Sequence, residues 1–152
     1  MALIKFTPAD FLASKVIEAG NYQSQITRIE GPIQSKTGKS IHYFTDIEII
    51  DGPYKGKART IVFNSVTNSP SVLGEAQFFP QTHLQLLDEA INGTDQTPRE
   101  YILDTDSLLH KPFTATWGIG VNEGRAFNVI NAFHKQGYGS QGGPITGDDI
   151  PF

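Results

Sequence analysis

The stretch from residue 40 to residue 50 places the strongest constraint on what this chain can fold into. It is dense in β-branched and aromatic residues, which are the residue types that favour β-strands. An Asp-Gly-Pro turn signal follows at residues 51–53, and a second alternating run covers residues 57–64. The two runs predict an antiparallel hairpin, so we expect the fold to be built around a β-sheet.

Further strands are predicted at residues 21–30, 112–119 and 125–133. A helix is predicted at residues 80–91, where leucine and isoleucine recur at spacings of three and four. With 15 glycines and 9 prolines, the chain is rich in turns and has little room for long helices. The order predicts a mainly β fold, a five-stranded OB-fold Greek-key barrel with the helix between strands 3 and 4. A half-open α+β sheet fits the same order.

Length and composition indicate one domain in a reducing compartment. The 152 residues suit a single domain. The chain has no cysteine, no apolar run near the roughly 18 residues of a membrane span, and no signal-peptide pattern at its start. We therefore expect a cytoplasmic protein with no membrane partner. Residues 1–135 are predicted to form the folded domain, and the Gly-rich residues 136–152 a flexible C-terminal tail.

The sequence contains no set of residues with the spacing typical of an enzyme active site, a metal site or a cofactor site. The segment at residues 35–40 resembles the end of a P-loop, but Ile33 stands where that motif needs its first glycine, and a strand rather than a helix follows. The four histidines lack metal-binding spacing, and the carboxylate pairs lack the other ligands of a calcium loop. We expect a protein without catalytic activity, metal or cofactor.

Charge is distributed unevenly along the chain. The net charge is −4, which at first argues against a nucleic-acid partner. However, residues 15–70 carry seven basic and five acidic side chains, whereas residues 71–106 carry one basic and seven acidic ones. Local arrangement governs surface potential more than net charge does, so the predicted hairpin remains a candidate surface for an anionic partner.

Cations and aromatic residues occur together on the predicted hairpin. Alternation places His42 and Phe44 on one face of the second strand, and we assign Lys57, Arg59 and Phe63 to an outer face of the third strand. A groove for single-stranded nucleic acid combines cations that bind phosphates with exposed rings on which bases stack. The plain alternative is that the aromatic residues form the core and the lysines only solubilise the protein.

On this basis we predict a DNA-binding set with two roles. The phosphate-binding residues are Lys36, Lys39, Lys55, Lys57, Arg59 and Arg125. The stacking residues are Phe44, Phe63 and Trp117, with His42 beside them. Tyr43 and Tyr54 take their place if the register is shifted by one residue.

The chain ends in a peptide with the features of a docking motif, in which two acidic residues precede an apolar tip. Its residues are Asp148, Asp149, Ile150, Pro151 and Phe152. An apolar pocket with a basic rim on another protein would accept Phe152 and the acidic groups, while Pro151 limits the entropy lost on binding. We expect partner proteins to bind here.

This tip resembles the acidic tip of bacterial single-stranded DNA-binding proteins. The segments Gly20-Asn21-Tyr22, 35–39 and 51–57 resemble phage-encoded OB-fold single-stranded DNA-binding proteins. The resemblance implies a protein that coats single-stranded DNA without catalysis or sequence preference. It also implies that the tip recruits replication, recombination and repair proteins. If the protein is phage-encoded, its location is the cytoplasm of the bacterial host.

A second function stays open at this point. An OB-like domain also fits a non-catalytic protein-interaction adaptor, with the tip as its second binding element. Salt-sensitive binding to oligo(dT) separates the two functions, because an adaptor shows none. The sequence leaves open the oligomeric state, a homo-oligomer included, and the choice between DNA and RNA.

Overall fold

The protein folds into one curled, half-barrel β-sheet with short helices against it. The computed structural model describes residues 2–13, 15–138 and 143–144. The strands are β1 (Gly20–Gln34), β2 (Ile41–Ile49), β3 (Ala58–Asn64), β4 (Ser71–Leu73), β5 (Ala76–Pro80), β6 (Phe113–Asn122), β7 (Arg125–His134) and β8 (Gly143–Pro144). Seven strands follow the order β4-β5-β3-β2-β1-β6-β7, and β8 pairs with the start of β1.

Two short helices complete the described chain. Helix α1 (Pro8–Leu12) begins at a capping box, in which Thr7 and Asp10 satisfy each other's backbone N–H groups. Helix α2 (Leu84–Asn92) continues a 3-10 turn (Gln81–His83) and ends at Gly93. A second 3-10 turn covers Thr105–Leu108. The predicted helix is therefore confirmed, and it lies between the third and the fourth of the predicted strands.

The mainly β class is confirmed, and the five predicted strands correspond to β1, β2, β3, β6 and β7. The sheet has two strands more on its path than the predicted five-stranded barrel. These are β4 and β5, which form an antiparallel hairpin in the acidic segment, and β5 runs parallel to β3. With three and five residues, they are too short to show a clear alternating pattern, which is why the sequence did not indicate them.

The core is aromatic on one side of the curled sheet. Phe63, Phe79 and Phe133 pack with ring centroids 5.5–6.3 Å apart. Trp117 is fully buried, and its indole N–H donates to the hydroxyl of Ser24 at 3.3 Å. The inner face of the sheet is thus filled by aromatic rings together with isoleucine and leucine side chains.

The side chain of Gln77 forms hydrogen bonds between the two ends of the curled sheet. The side-chain oxygen of Gln77 in β5 accepts the backbone N–H of Ile130 in β7 at 2.9 Å, and its amide N–H donates to the Ile130 carbonyl. The same oxygen accepts the Nε–H of Arg59 at 3.1 Å. Among the described residues, β5 and β7 share no backbone ladder, so the Gln77 amide takes the place of one.

Gly31 in β1 lies where the register between β1 and β2 shifts. A substitution at this position tests how closely the two strands pack. Its φ is +157°, and a Cβ there would lie 2.7 Å from the His42 carbonyl oxygen and 2.8 Å from the Tyr43 ring. Gly31→Ala is therefore expected to lower the free energy of unfolding by at least about 1 kcal/mol in urea denaturation. Gly52→Ala is the control, since Gly52 has φ +80° but no atom within 4 Å. Equal losses in the two variants would contradict the steric explanation.

Part of the predicted tail contacts the folded domain. The Tyr138 ring stacks on His134 at 3.9 Å, and β8 pairs with β1. The predicted partner-binding residues Asp148, Asp149, Ile150, Pro151 and Phe152 lie outside the described residues. Within the described ranges, neither helix has the length and apolar character needed to cross a membrane.

Candidate nucleic-acid interface

The loop between β1 and β2 presents two exposed lysines. The chain reverses through backbone hydrogen bonds from Ser35 to Ser40 and from Gly38 to Ser35, each 2.9 Å long. Lys36 and Lys39 are both exposed, and no carboxylate of the described residues lies within ion-pair distance of either. Their ammonium groups are therefore available to an anionic ligand.

Two rings follow this loop on the outer face of β2. His42 and Phe44 are half-buried, and their ring centroids lie 6.1 Å apart with the planes inclined by 32°. His42 is held at hydrogen-bond distance by the Ser40 hydroxyl at 3.2 Å and the Asn64 amide at 3.0 Å. The predicted outward direction of His42 and Phe44 is confirmed, since Thr45 and the residues alternating with it face the core.

Further along the outer face, polar side chains neutralise each other. Arg28 Nε donates to Asp46 at 2.8 Å, and Thr60 donates to the other oxygen of Asp46 at 2.5 Å. Burial alone would raise the pKa of Asp46, but the hydrogen bonds from Arg28 and Thr60 and the charge of Arg28 lower it. Arg28 also pairs with Glu30, so the cations free for a phosphate lie in the loop rather than here.

Three of the predicted cations line a cleft of about 340 Å³ between the starts of β3 and β7. They are Lys57, Arg59 and Arg125, and Lys15 joins them. Arg125 is largely exposed and lies 3.7 Å from the Glu75 carboxylate. The cleft therefore combines residues that are distant in sequence. Of the three predicted cations, Arg125 is the exposed one and is open to a ligand.

Lys57 does not have the predicted role. It is 7% exposed, and its Nζ donates to the carbonyls of Leu12 at 2.9 Å and Lys15 at 2.7 Å. Burial and the positive charge of Arg59 lower the pKa of Lys57. Because its N–H donors are already directed at backbone carbonyls, we correct Lys57 from a phosphate ligand to an anchor of the segment before β1.

Arg59 is likewise engaged inside the protein. It bonds the side chain of Gln77 and the carbonyl of Glu75, and its guanidinium lies 5.5 Å from the centre of the Phe127 ring. Burial lowers the pKa of Arg59, against the opposing effect of Glu75. The predicted outer position of Arg59 is wrong, because it pairs with Ile47 across the ladder and opposite residues share a face.

Two of the predicted stacking residues belong to the core. Phe63 and Trp117 are both 0% exposed, and a fully buried ring offers no face to a base. Phe63 lies opposite Tyr43 in the β2–β3 ladder, which places both on the inner side. Ala58 and Thr60, on the opposite face of β3, are exposed. The faces of β3 were therefore predicted the wrong way round.

The turn between β2 and β3 keeps one predicted cation at the surface. Lys55 is exposed, whereas Tyr54 is half-buried and packs edge-on against Tyr22 with centroids 5.7 Å apart. The hydroxyl of Tyr22 donates to the Glu18 carbonyl at 2.7 Å, and burial raises its pKa to about 12. Tyr54 thus contributes to packing, and Lys55 remains available.

Residues 4–144 match a family described as "Protein of unknown function (DUF669)". The chain belongs to this family. The DUF669 match includes every strand from β1 to β8 and the loop that carries Lys36 and Lys39, and it stops before the acidic tip. No curated protein matches the sequence.

Another cleft of this DUF669 protein is lined by residues that the sequence did not indicate. Tyr43, on the inner face of β2, lines it together with Gln81 and Tyr101. Polar residues of a helix start and of a loop carry no periodic signal, so no pattern in the sequence indicated Gln81 or Tyr101. In the part of the chain that the structure describes, no three His, Asp or Glu side chains form a group that could hold a metal ion.

Proposed function

We propose that this DUF669 protein binds and coats single-stranded DNA without sequence preference and without catalysis. The observation that carries the proposal is the β1–β2 hairpin, where exposed Lys36 and Lys39 stand directly before the outward rings of His42 and Phe44. Cations that follow the phosphates, together with rings on which bases stack, are what a sequence-tolerant single-strand site requires.

The order of the strands supports the interpretation of the half-barrel as an OB-type fold. With β4 and β5 taken as an insertion, the neighbours β3-β2-β1-β6-β7 and the helix before β6 follow the OB plan. OB-folds bind oligonucleotides with the face of strands 2 and 3 and with the loops 1–2 and 4–5. Here the β1–β2 loop carries Lys36 and Lys39. The β6–β7 turn lies directly before Arg125. The proposal therefore includes Arg125 as a second phosphate contact.

The acidic tip extends the proposal to partner proteins. In this reading the domain holds the DNA, and Asp148, Asp149, Ile150, Pro151 and Phe152 bring replication, recombination or repair proteins to it. Two acids before an apolar terminus suit a pocket with a basic rim. Recruitment of this kind needs the tip to remain accessible while the domain is on DNA.

Replacing both loop lysines is expected to weaken binding and to reduce its salt dependence. Each phosphate contact on a single strand adds about 0.7 to the slope of log K against log salt. The double variant Lys36→Ala/Lys39→Ala should therefore lose roughly 1.4 from the magnitude of this slope. Anisotropy of a labelled oligo(dT), titrated at several salt concentrations, measures it.

Lys5→Ala/Lys135→Ala serves as the matched control, since it removes two exposed lysines away from the loop and should leave the slope nearly unchanged. A duplex of equal length should bind more weakly than oligo(dT). If the wild-type protein binds neither at low salt, the DNA-coating function is wrong and the interaction adaptor becomes the better reading.

A further inference from the structure

A cleft of about 450 Å³ lies between the inner side of β2 and the start of α2. Its volume is in the range of about 300–1,000 Å³ found for small-molecule sites. Two tyrosine rings, Tyr43 and Tyr101, contribute to its lining, together with the amides of Gln81 and Gln85 and the hydroxyls of Ser65 and Thr105. None of the lining residues is a lysine, arginine, aspartate, glutamate or histidine, so the cleft suits an uncharged polar ligand.

Two polar atoms at this cleft are buried and lack a partner. The hydroxyl of Tyr101 and the side-chain oxygen of Gln81 make no hydrogen bond to any described residue. Buried polar atoms are ordinarily satisfied, and each exception requires an explanation. Together they offer one hydroxyl, which can donate or accept, and one carbonyl oxygen, which accepts.

The ring of Tyr101 is held in place from outside the cleft. The guanidinium of Arg99 lies 5.1 Å from the centre of this ring, and Arg99 itself donates to the backbone carbonyls of Asp95 and Thr97. On the opposite wall, Gly31 leaves room for the Tyr43 ring, which a Cβ would approach to 2.8 Å. Both rings are therefore positioned by the fold before any ligand arrives.

The cleft adjoins the hairpin that carries the loop lysines. Ser65 at its edge is bonded to both backbone groups of Ile41, with Ser65 N–H donating at 3.0 Å and Ile41 N–H donating to the Ser65 hydroxyl at 2.9 Å. Ile41 follows the loop of Lys36 and Lys39 directly. The cleft therefore lies beside the end of this loop.

We propose that this cleft takes one unstacked base of the bound strand. A base is planar and uncharged, and its edge carries donors and acceptors, which matches two rings and a set of neutral polar groups. The Tyr101 hydroxyl and the Gln81 oxygen would pair with that edge, and this pairing explains why the protein leaves them unsatisfied. The inference rests on the proposed function and deepens it, because it adds a contact to one base of the strand to a phosphate-binding surface.

The test compares oligo(dT) with an abasic oligonucleotide of the same length and charge, using anisotropy of a labelled strand. Tyr101→Phe and Gln81→Leu each remove one of the unpaired atoms. We expect the double variant to bind oligo(dT) about three- to tenfold more weakly, the effect of losing one or two hydrogen bonds. Its affinity for the abasic strand should not change.

Tyr138→Phe is the matched control, because it removes a tyrosine hydroxyl outside this cleft and should leave both affinities unchanged. The melting temperature of Tyr101→Phe should be equal to or above that of the wild type, since the lost hydroxyl is buried and has no partner among the described residues. Equal loss on both strands would show a structural effect and overturn the proposal.

Two further outcomes separate this inference from the proposed function. If the double variant binds oligo(dT) as well as the wild type, while Lys36→Ala/Lys39→Ala binds more weakly, the cleft proposal is wrong and the DNA-binding function stands. If the wild type binds neither oligonucleotide, both proposals fail.

Discussion

Replacing Phe63 by alanine is expected to lower the free energy of unfolding by about 3–5 kcal/mol. The ring is fully buried and packs on both Phe79 and Phe133, so its removal leaves a cavity at the centre of the aromatic core. Urea denaturation followed by far-ultraviolet circular dichroism measures the loss. Oligo(dT) binding by the fraction that remains folded should equal that of the wild type.

Phe44→Ala provides the matched comparison, because it removes the same side chain from the opposite face of the hairpin. Phe44 is only half-buried, and we expect a loss of stability well below that of Phe63→Ala. Phe44→Ala should weaken oligo(dT) binding more than Phe63→Ala does, since stacking contributes about 1–3 kcal/mol per base. If Phe44→Ala destabilises the fold as much as Phe63→Ala and leaves binding intact, the outer face of β2 is not the stacking surface.

Replacing Gln77 by methionine, which has a similar size and no amide, should lower the free energy of unfolding by about 2–4 kcal/mol. The change leaves the buried N–H and carbonyl of Ile130 unpaired, and each unsatisfied group costs about 1–3 kcal/mol. Arg59 loses a partner as well. Chemical denaturation measures the loss, and hydrogen exchange should show faster exchange at the Ile130 amide.

Gln34→Met is the control for this experiment. Gln34 is exposed and its amide bonds only the Gly38 carbonyl, so we expect a loss within about 0.5 kcal/mol. An Ile130 amide that remains as protected in Gln77→Met as in the wild type would show that another contact closes the sheet.

Local patterns predicted most of the elements. Alternation in β2 placed His42 and Phe44 outside and Ile47 inside, and the structure agrees. The helix followed from leucines at helical spacing, of which Leu84 and Leu87 are buried. These predictions succeed because each depends only on which side of one element faces the core.

Features that depend on distant parts of the chain were not predicted. Alternation within β3 alone does not show which of its faces is buried. The register with β2, which pairs Phe63 with Tyr43, decides it. Lys57 reads as a surface cation until the segment before β1 supplies carbonyls for its ammonium group. In the candidate site, the position of the loop lysines followed from the sequence of the β1–β2 hairpin. The convergence of Gln81 and Tyr101 instead depends on how the 3-10 turn before α2 and a distant loop fold against the sheet.

The strand pairing of β1 constrains the order in which this protein can fold during translation. One edge of β1 is completed early by β2, but its other edge pairs with β6, so that Gly20 meets Trp117 only after β2, β3, β4, β5 and α2 have been synthesised. Contacts so distant in sequence slow folding, and strand edges that wait for a partner favour aggregation. The nascent chain therefore carries an open β1 edge through most of translation, and the sheet is complete only once β6 and β7 have followed.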